Sequence, residues 1–473
     1  MKGFILILSV MACSLAAVSQ SFINVNAGMP GLANSQSLDW GDYDNDGDLD
    51  LLIAGQSIPP DLTPVCKLFK YENFAFTEVP LTLQGKYHAK VKFVDFDNDG
   101  DLDYIISGSD TYFGSIKTFV ALNEDGNFIN PSPISYKGGF FAIGDLDNDG
   151  DPDVLLSGTI DVTTLCIIRN DCIADTFYFH EINLPSTPLK FSTVALADFD
   201  QDNDLDIIVS GEGEEISDYH VLMYRNDSAL NFSAMPVDLP HIRGFISVAD
   251  FDNDNDQDIL ISGVHDYNVP ITSLFRNDNN WNFTSVNAGL PQVNGVSAFA
   301  DLNNDTYTDI ILPGISGSFP DFITETAILK NNGNETFTLT EPVSLPLQAG
   351  SLATGDYDAD GDVDFALSGG NTFSEPVYST IVYANNYILS NEKEPLINVT
   401  LYPNPVSDVF KIQFQEPAKE VTLSLFTSSG QLLGNYKYSN CTSIEHDIST
   451  LAKGVYLLTI ITGSKSACYK IIR

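Results

Sequence analysis

Several things are scarce in this chain of 473 residues. Only 22 lysines and arginines stand against 64 acidic residues, a formal net charge of −42. A basic footprint of the kind that neutralises phosphates is therefore missing, and nucleic acid is excluded as a partner. Six histidines are scattered, with no pair at metal-binding spacing, no G-x-S-x-G elbow and no phosphate loop, so catalytic signatures are absent. Helical periodicity is almost absent, and no apolar run reaches the roughly 18 residues a membrane-spanning helix needs. Cysteine is also sparse, at six. One lies in the first twenty residues; the other five, Cys66, Cys166, Cys172, Cys441 and Cys468, are an odd number for an exported chain. Cys166 with Cys172 and Cys441 with Cys468 are candidate bridges, and buried free thiols are the competing reading.

What is abundant is aspartate, in one pattern. Asp42-Tyr43-Asp44-Asn45-Asp46-Gly47-Asp48-Leu49-Asp50 places acidic oxygens at positions 1, 3, 5, 7 and 9, and versions start again at Asp95, Asp145, Asp198, Asp250, Asp301 and Asp356. The spacing is 50 to 55 residues, a repeat architecture. These loops hold about half of the acidic residues, so the acidity is local rather than a property of the whole surface.

Lys2, the apolar run Phe4–Val10 and small residues up to Ser19 read as a secretory signal over 1–20. A lipoprotein box, Val10 to Cys13, competes with it. After each acidic loop comes a short branched run closed by glycine, such as Ile259-Leu260-Ile261-Ser262-Gly263, the pattern of a strand buried on both faces. A second apolar stretch, an Asn/Asp turn such as Asn226-Asp227, and an aromatic-led strand follow. With the strand before the next loop this makes four strands per repeat. The class is all-β: a seven-bladed β-propeller. Ser21–Pro30 matches Asn282–Pro291, the outer strand of an internal repeat, while the last repeat stops near Leu389 without one. The N-terminal segment is thus expected to complete blade 7 and close the ring. The expected domains are a signal peptide over 1–20, the propeller over 21–390, a linker over 391–397 and a small Ig-like β-sandwich over 398–473.

Alternating carboxylates repel one another unless a hard cation lies among them, and irregular oxygen ligation suits calcium. An EF-hand is excluded, because its twelfth-position Glu is replaced by Ile53, Ile106, Leu156, Val209, Ile261, Leu312 and Leu367. The loops with their flanking strands resemble the FG-GAP/VCBS repeats of integrin α-like propellers. That resemblance implies Ca²⁺ ligands at Asp42, Asp44, Asp46 and Asp50; Asp95, Asp97, Asp99 and Asp103; Asp145, Asp147, Asp149 and Asp153; Asp198, Asp200, Asp202 and Asp206; Asp250, Asp252, Asp254 and Asp258; Asp301, Asn303, Asp305 and Asp309; and Asp356, Asp358, Asp360 and Asp364. Position 6 wants a positive φ, which Gly47 supplies and β-branched Thr306 resists. Blade 6, which also carries Asn303 and Tyr307, is expected to have the weakest site.

Loops between second and third strands lie on the other face and carry Tyr112, Phe113, Tyr219, His220, His265, Tyr267, Phe319, Phe322, Phe373 and Tyr378. Lys86, Lys137, Lys190 and Arg243 precede the loops at equivalent positions, near His88, and suggest a basic mouth for an acidic glycan or a partner's carboxylates. The chain reads as an adhesion or glycan/protein-binding module, not an enzyme; a secreted polysaccharide-degrading lyase or hydrolase is the alternative. Leu401-Tyr402-Pro403-Asn404-Pro405-Val406, Ser429-Gly430-Gln431, Leu451–Tyr456 and Lys470–Arg473 resemble the type A C-terminal sorting domain of the type IX secretion system in Bacteroidota. This resemblance implies the type IX secretion machinery as partner and a secreted or outer-membrane-surface location.

Overall fold

The computed structural model describes residues 19–33, 37–81, 84–129, 132–135, 137–157, 165–172, 177–184, 189–215, 217–265, 269–279, 281–317, 323–340, 348–370, 377–388, 399–403, 405–427, 432–462 and 465–473. Residues 1–18 of the expected signal segment, Cys13 among them, the linker, Tyr267, Phe319, Phe322, Phe373, Asn404 and the Ser429-Gly430-Gln431 motif lie outside them. Among the described residues no helix is long and apolar enough to cross a membrane.

Seven four-stranded antiparallel sheets follow one another along the chain. Blade 1 is Ser37–Gly41, Asp50–Gln56, Pro64–Glu72 and Ala75–Val79, in that order from the innermost strand outward. The second strands are the buried ones, as their apolar runs predict: every residue of Asp50–Gln56 and of Asp103–Ser109 is buried. Each blade's faces are covered by its neighbours. Leu52 and Leu68 of blade 1 pack with Val91, Phe93 and Tyr104 of blade 2 in one cluster, and the same holds around the ring.

Ring closure is as the terminal match predicts. Blade 7 consists of Gln348–Gly355, Asp364–Gly370 and Tyr378–Ile388, and its outer strand is Ser19–Asn24 from the start of the chain. Val25 donates its N–H to the Val382 carbonyl at 3.1 Å, and the Phe22 ring lies 5.2 Å from that of Phe365.

Contacts separate Phe22–Asn386 from a second unit that includes Tyr387–Arg473. In the latter, Val409–Thr427 is long because its register shifts between Gln413 and Ala418. Its first half pairs with Val399–Tyr402 and its second half with Val455–Thr462. The bend curls one five-stranded sheet around Phe410, Ile412, Leu423, Leu458, Ile460 and Ile471, all 0% exposed. The unit is all-β, as the sequence suggests, and its described strands form this one curled sheet.

The two candidate disulfides are not formed. Cys166 and Cys172 stand at opposite ends of one extended strand, Cys166–Cys172, whose rise of about 3.3 Å per residue puts them far beyond bridging distance. Cys66, Cys166 and Cys441 are free thiols.

Candidate metal loops and the opposite face

Each acidic loop joins an innermost strand to the second strand, and its backbone is shaped by its own carboxylates. In blade 1, Asp42 Oδ1 accepts the Asp46 N–H at 3.0 Å and Oδ2 accepts that of Gly47 at 2.9 Å. Asp46 Oδ1 in turn accepts the Asp48 N–H at 3.1 Å. The first-position arrangement recurs at Asp95, Asp145, Asp198, Asp250, Asp301 and Asp356. The ninth aspartate is buried at the start of the second strand. Asp206, for example, accepts N–H groups from Phe199 at 2.9 Å and Asn226 at 2.8 Å.

Position 6 has positive φ throughout, from 70° at Asn203 to 95° at Gly100 and Gly150, with Thr306 at 74°. Thr306 therefore adopts the turn despite its β-branch, and its N–H reaches Asp301 Oδ2 at 2.7 Å. What distinguishes blade 6 is the donor set: Asn303 turns its amide Nδ2 toward Asp309 Oδ2 at 2.9 Å. Position 4 is left-handed as well, at Asn45, Asn98, Asn148, Gln201, Asn253, Asn304 and Ala359, a requirement the sequence reading overlooked.

The residues fit a hard cation. Ligand oxygens of Asp42, Asp44 and Asp50 lie within 4.8 Å of one another, as do those of Asp145, Asp147 and Asp153, and of Asp198, Asp200 and Asp206. The third-position oxygens Asp44 Oδ1, Asp147 Oδ1, Asp200 Oδ1, Asp252 Oδ1 and Asn303 Oδ1 are buried without a hydrogen-bond donor. Burial pushes the carboxyls of Asp50, Asp103, Asp153, Asp206, Asp258 and Asp309 up to about 7, and that of Asp364 up to about 9. Orphaned acceptors beside carboxyls that resist ionisation are the environment a divalent cation relieves.

Sequence reasoning missed a second set of residues. The asparagine after the third strand's last apolar residues looks like a turn former, yet it is buried and links blades. Asn123 Nδ2 donates to the Tyr43 carbonyl at 2.6 Å, Asn170 to Phe96, Asn226 to Leu146, Asn277 to Phe199, Asn331 to Phe251 and Asn385 to Leu302. Each acceptor is the second residue of the preceding blade's loop. Position-4 side chains add another link: Asn45 Nδ2 reaches Asp101 Oδ1 of the next loop at 2.8 Å, and Asn98 reaches Asp151 at 2.8 Å.

The junction of blades 7 and 1 replaces both links. Position 4 is Ala359, and Tyr71 stands where the asparagine should be. The Tyr357 carbonyl is met by the Leu49 N–H at 3.2 Å, and Tyr357 stacks on Trp40 at 5.6 Å and meets Tyr71 edge-on at 4.8 Å.

On the other face Lys86, Lys137 and Arg243 meet acids. Tyr87 pairs with Ser109 at the strand end opposite Val94 and Asp103, which puts Lys86 away from the acidic loop. Lys86 Nζ lies 2.5 Å from Asp110, Lys137 Nζ 3.0 Å from Glu181, and Arg243 3.2 Å from Glu212. Lys190 pairs in register with the same Glu212, and His88 contacts the Tyr112 carbonyl at 3.1 Å. Lys86, Lys137 and Arg243 thus each have an acid partner. On the same face Tyr112 is 45% exposed, Phe113 94% and Phe191 44%.

In the C-terminal unit the sorting-motif residues converge. Tyr456 Oη donates to the Ala452 carbonyl at 2.7 Å, the Arg473 guanidinium reaches the Ser449 carbonyl at 3.0 Å, and Val406 N–H bonds to the Ile472 carbonyl at 2.7 Å.

Residues 95–156 and 198–261 match the FG-GAP-like repeat family, and residues 400–473 match the secretion system C-terminal sorting domain. No curated protein matches the chain. Similar solved structures include a mutant of AofleA from Arthrobotrys oligospora, at 9% identity, covering 68% of this chain and 90% of that one with a TM-score of 0.39. The V. cholerae biofilm matrix protein Bap1 is similar at 10% identity, covering 93% and 67%, with a TM-score of 0.32. A subtype N11 neuraminidase-like protein of A/flat-faced bat/Peru (H18N11) is similar at 9% identity, covering 81% and 96%, with a TM-score of 0.39. The chain is a secreted seven-bladed propeller protein that contains FG-GAP-like repeats over 95–156 and 198–261 and carries a secretion system C-terminal sorting domain over 400–473, which indicates export to the cell surface or beyond.

Proposed function

We propose that the propeller is a calcium-stabilised binding module whose ligand is a glycan held on the face opposite the acidic loops. The carrying observation is the set of exposed aromatic rings beside matched charges: Tyr112 and Phe113 meet edge to face at 4.9 Å next to the Lys86–Asp110 pair. Rings left in water in such a group mark an interaction site, and loops on a rigid scaffold are where binding is usually placed. Stacking on a sugar ring needs no net charge, and the paired acids and bases offer acceptors and donors to its hydroxyls. The ligand class is thus set by rings and hydroxyls more than by the anionic groups that the isolated lysines suggest.

In this reading residues 21–390 form the binding unit, 391–397 a linker and 398–473 a domain removed after export. Calcium occupies up to seven loops as a structural staple, and Asn303 makes blade 6 the weakest. The test is glycan-array retention of the propeller and of a Tyr112→Ala/Phe113→Ala variant. Loss of retention in the variant is expected; undiminished retention overturns the assignment. Reducing ends appearing in the same incubations would favour the polysaccharide-degrading alternative.

A further inference from the structure

The third strand of each blade runs past the acidic loop, and the residue just before its last inward-facing position differs among blades: Lys70, Leu122, Arg169, Arg225, Arg276, Lys330 and Ala384. Three of these cations enter their own loop. Lys70 Nζ pairs with Asp44 and lies 3.0 Å from Asp46. Arg169 Nε lies 2.6 Å from Asp147, and its Nη2 lies 3.3 Å from Asp149. Lys330 Nζ lies 3.1 Å from Asp305. These are third- and fifth-position carboxylates. Arg225 and Arg276 at the same place turn instead to Asp227, and to Asp278 and Glu335.

We infer that Lys70, Arg169 and Lys330 are built-in counter-cations that compete with calcium, so that the loops of blades 1, 3 and 6 form a weaker class of site. The inference rests on the calcium reading of the loops. That reading has support independent of the acidic cluster, since the Asp147 side chain is 9% exposed and the Asn303 residue 2%, and each keeps a buried oxygen without a donor. An ammonium or guanidinium on one oxygen of a carboxylate repels a divalent ion on the other, because the two cations lie within a few ångströms. Calcium entry therefore drives the side chain toward solvent, and calcium departure lets it return. The exchange separates the two states energetically. It weakens calcium binding and stabilises the metal-free loop, which would otherwise hold unscreened like charges.

The test uses the full chain, stripped of metal and titrated with calcium alone by isothermal calorimetry. Two classes of site are expected. Arg169→Leu, which copies the Leu122 of blade 2, should tighten one equivalent by about tenfold or more, a change well within what removing one close charge supplies. Leu122→Lys should weaken one equivalent by a similar factor. Melting separates this role from simple packing: Arg169→Leu should lower the midpoint in chelator and raise it in saturating calcium. An unchanged isotherm, or a midpoint lowered in both conditions, overturns the inference. Absence of calcium binding at saturation overturns the calcium reading itself, and is distinguished by its stoichiometry. Lys70→Leu repeats both readouts in blade 1.

Discussion

Asn226 Nδ2 lies 2.8 Å from the carbonyl of Leu146, eighty residues earlier and one blade back. Its second bond reaches Leu205 at 3.3 Å, so one buried amide holds two loops together. Asn226→Ala leaves both carbonyls without this donor. Removing one partner from a buried pair costs about 1–3 kcal/mol. The urea midpoint of the propeller should fall accordingly, while the midpoint of the C-terminal unit stays fixed; an unshifted propeller midpoint would contradict the linking role.

The closing strand docks Phe22 onto Phe365, with ring centroids 5.2 Å apart. Phe22 is half-buried, so Phe22→Ala should cost about 2 kcal/mol, below the range for a fully buried ring. Amide exchange across Tyr378–Ile388 should accelerate selectively. Uniform acceleration in all seven blades would mean that closure is not a local event.

Asp39 sits on the innermost strand of blade 1 and accepts the Phe93 N–H at 2.7 Å. Burial raises its carboxyl to about 6, against the lowering effects of Lys92 and the Phe93 N–H. A carboxyl raised on folding contributes stability that is full below its unfolded value near 3.8 and is lost as pH rises through about 6. Asp39→Asn removes that dependence. In saturating calcium, the stability of the variant relative to the parent should improve by about 2–3 kcal/mol from pH 4 to pH 7, measured by denaturant unfolding. A pH-independent difference would show that Asp39 titrates normally.

Phe410 is fully buried in the C-terminal unit. Phe410→Ala should cost that unit about 3–5 kcal/mol and abolish surface delivery, with propeller melting unchanged because the two cores are separate. Normal surface display of the variant would mean that export reads the terminal motif without the folded domain.

The sequence disclosed what is local and periodic. Seven aspartate loops, buried second strands and the match between Ser21–Pro30 and Asn282–Pro291 were enough to specify blade number and closure, because each depends on short-range pattern. What it concealed was pairing across blades. Asn123 and its counterparts look like ordinary turn residues until the ring places them against a carbonyl about eighty residues away. The lysines and arginine of the opposite face read as a shared mouth, because Asp110, Glu181 and Glu212 lie 24 to 44 residues away in the chain and their pairing is tertiary. Thr306 was judged by its intrinsic preference, and hydrogen bonding to Asp301 outweighs that preference. A recurring Asn 17 to 22 residues after the ninth aspartate of blades 2 to 7 was the available signal for the blade links.

The borrowed outer strand of blade 7 also sets a timetable. Ser19–Asn24 is the first described strand to leave the ribosome, and its partner Tyr378–Ile388 is the last of the propeller to do so. Until that partner emerges, blades 1 to 6 can form but the ring stays open, with one unsatisfied strand edge at each end. A chain truncated anywhere before Tyr378 would keep both edges exposed and ready to pair with a second truncated copy.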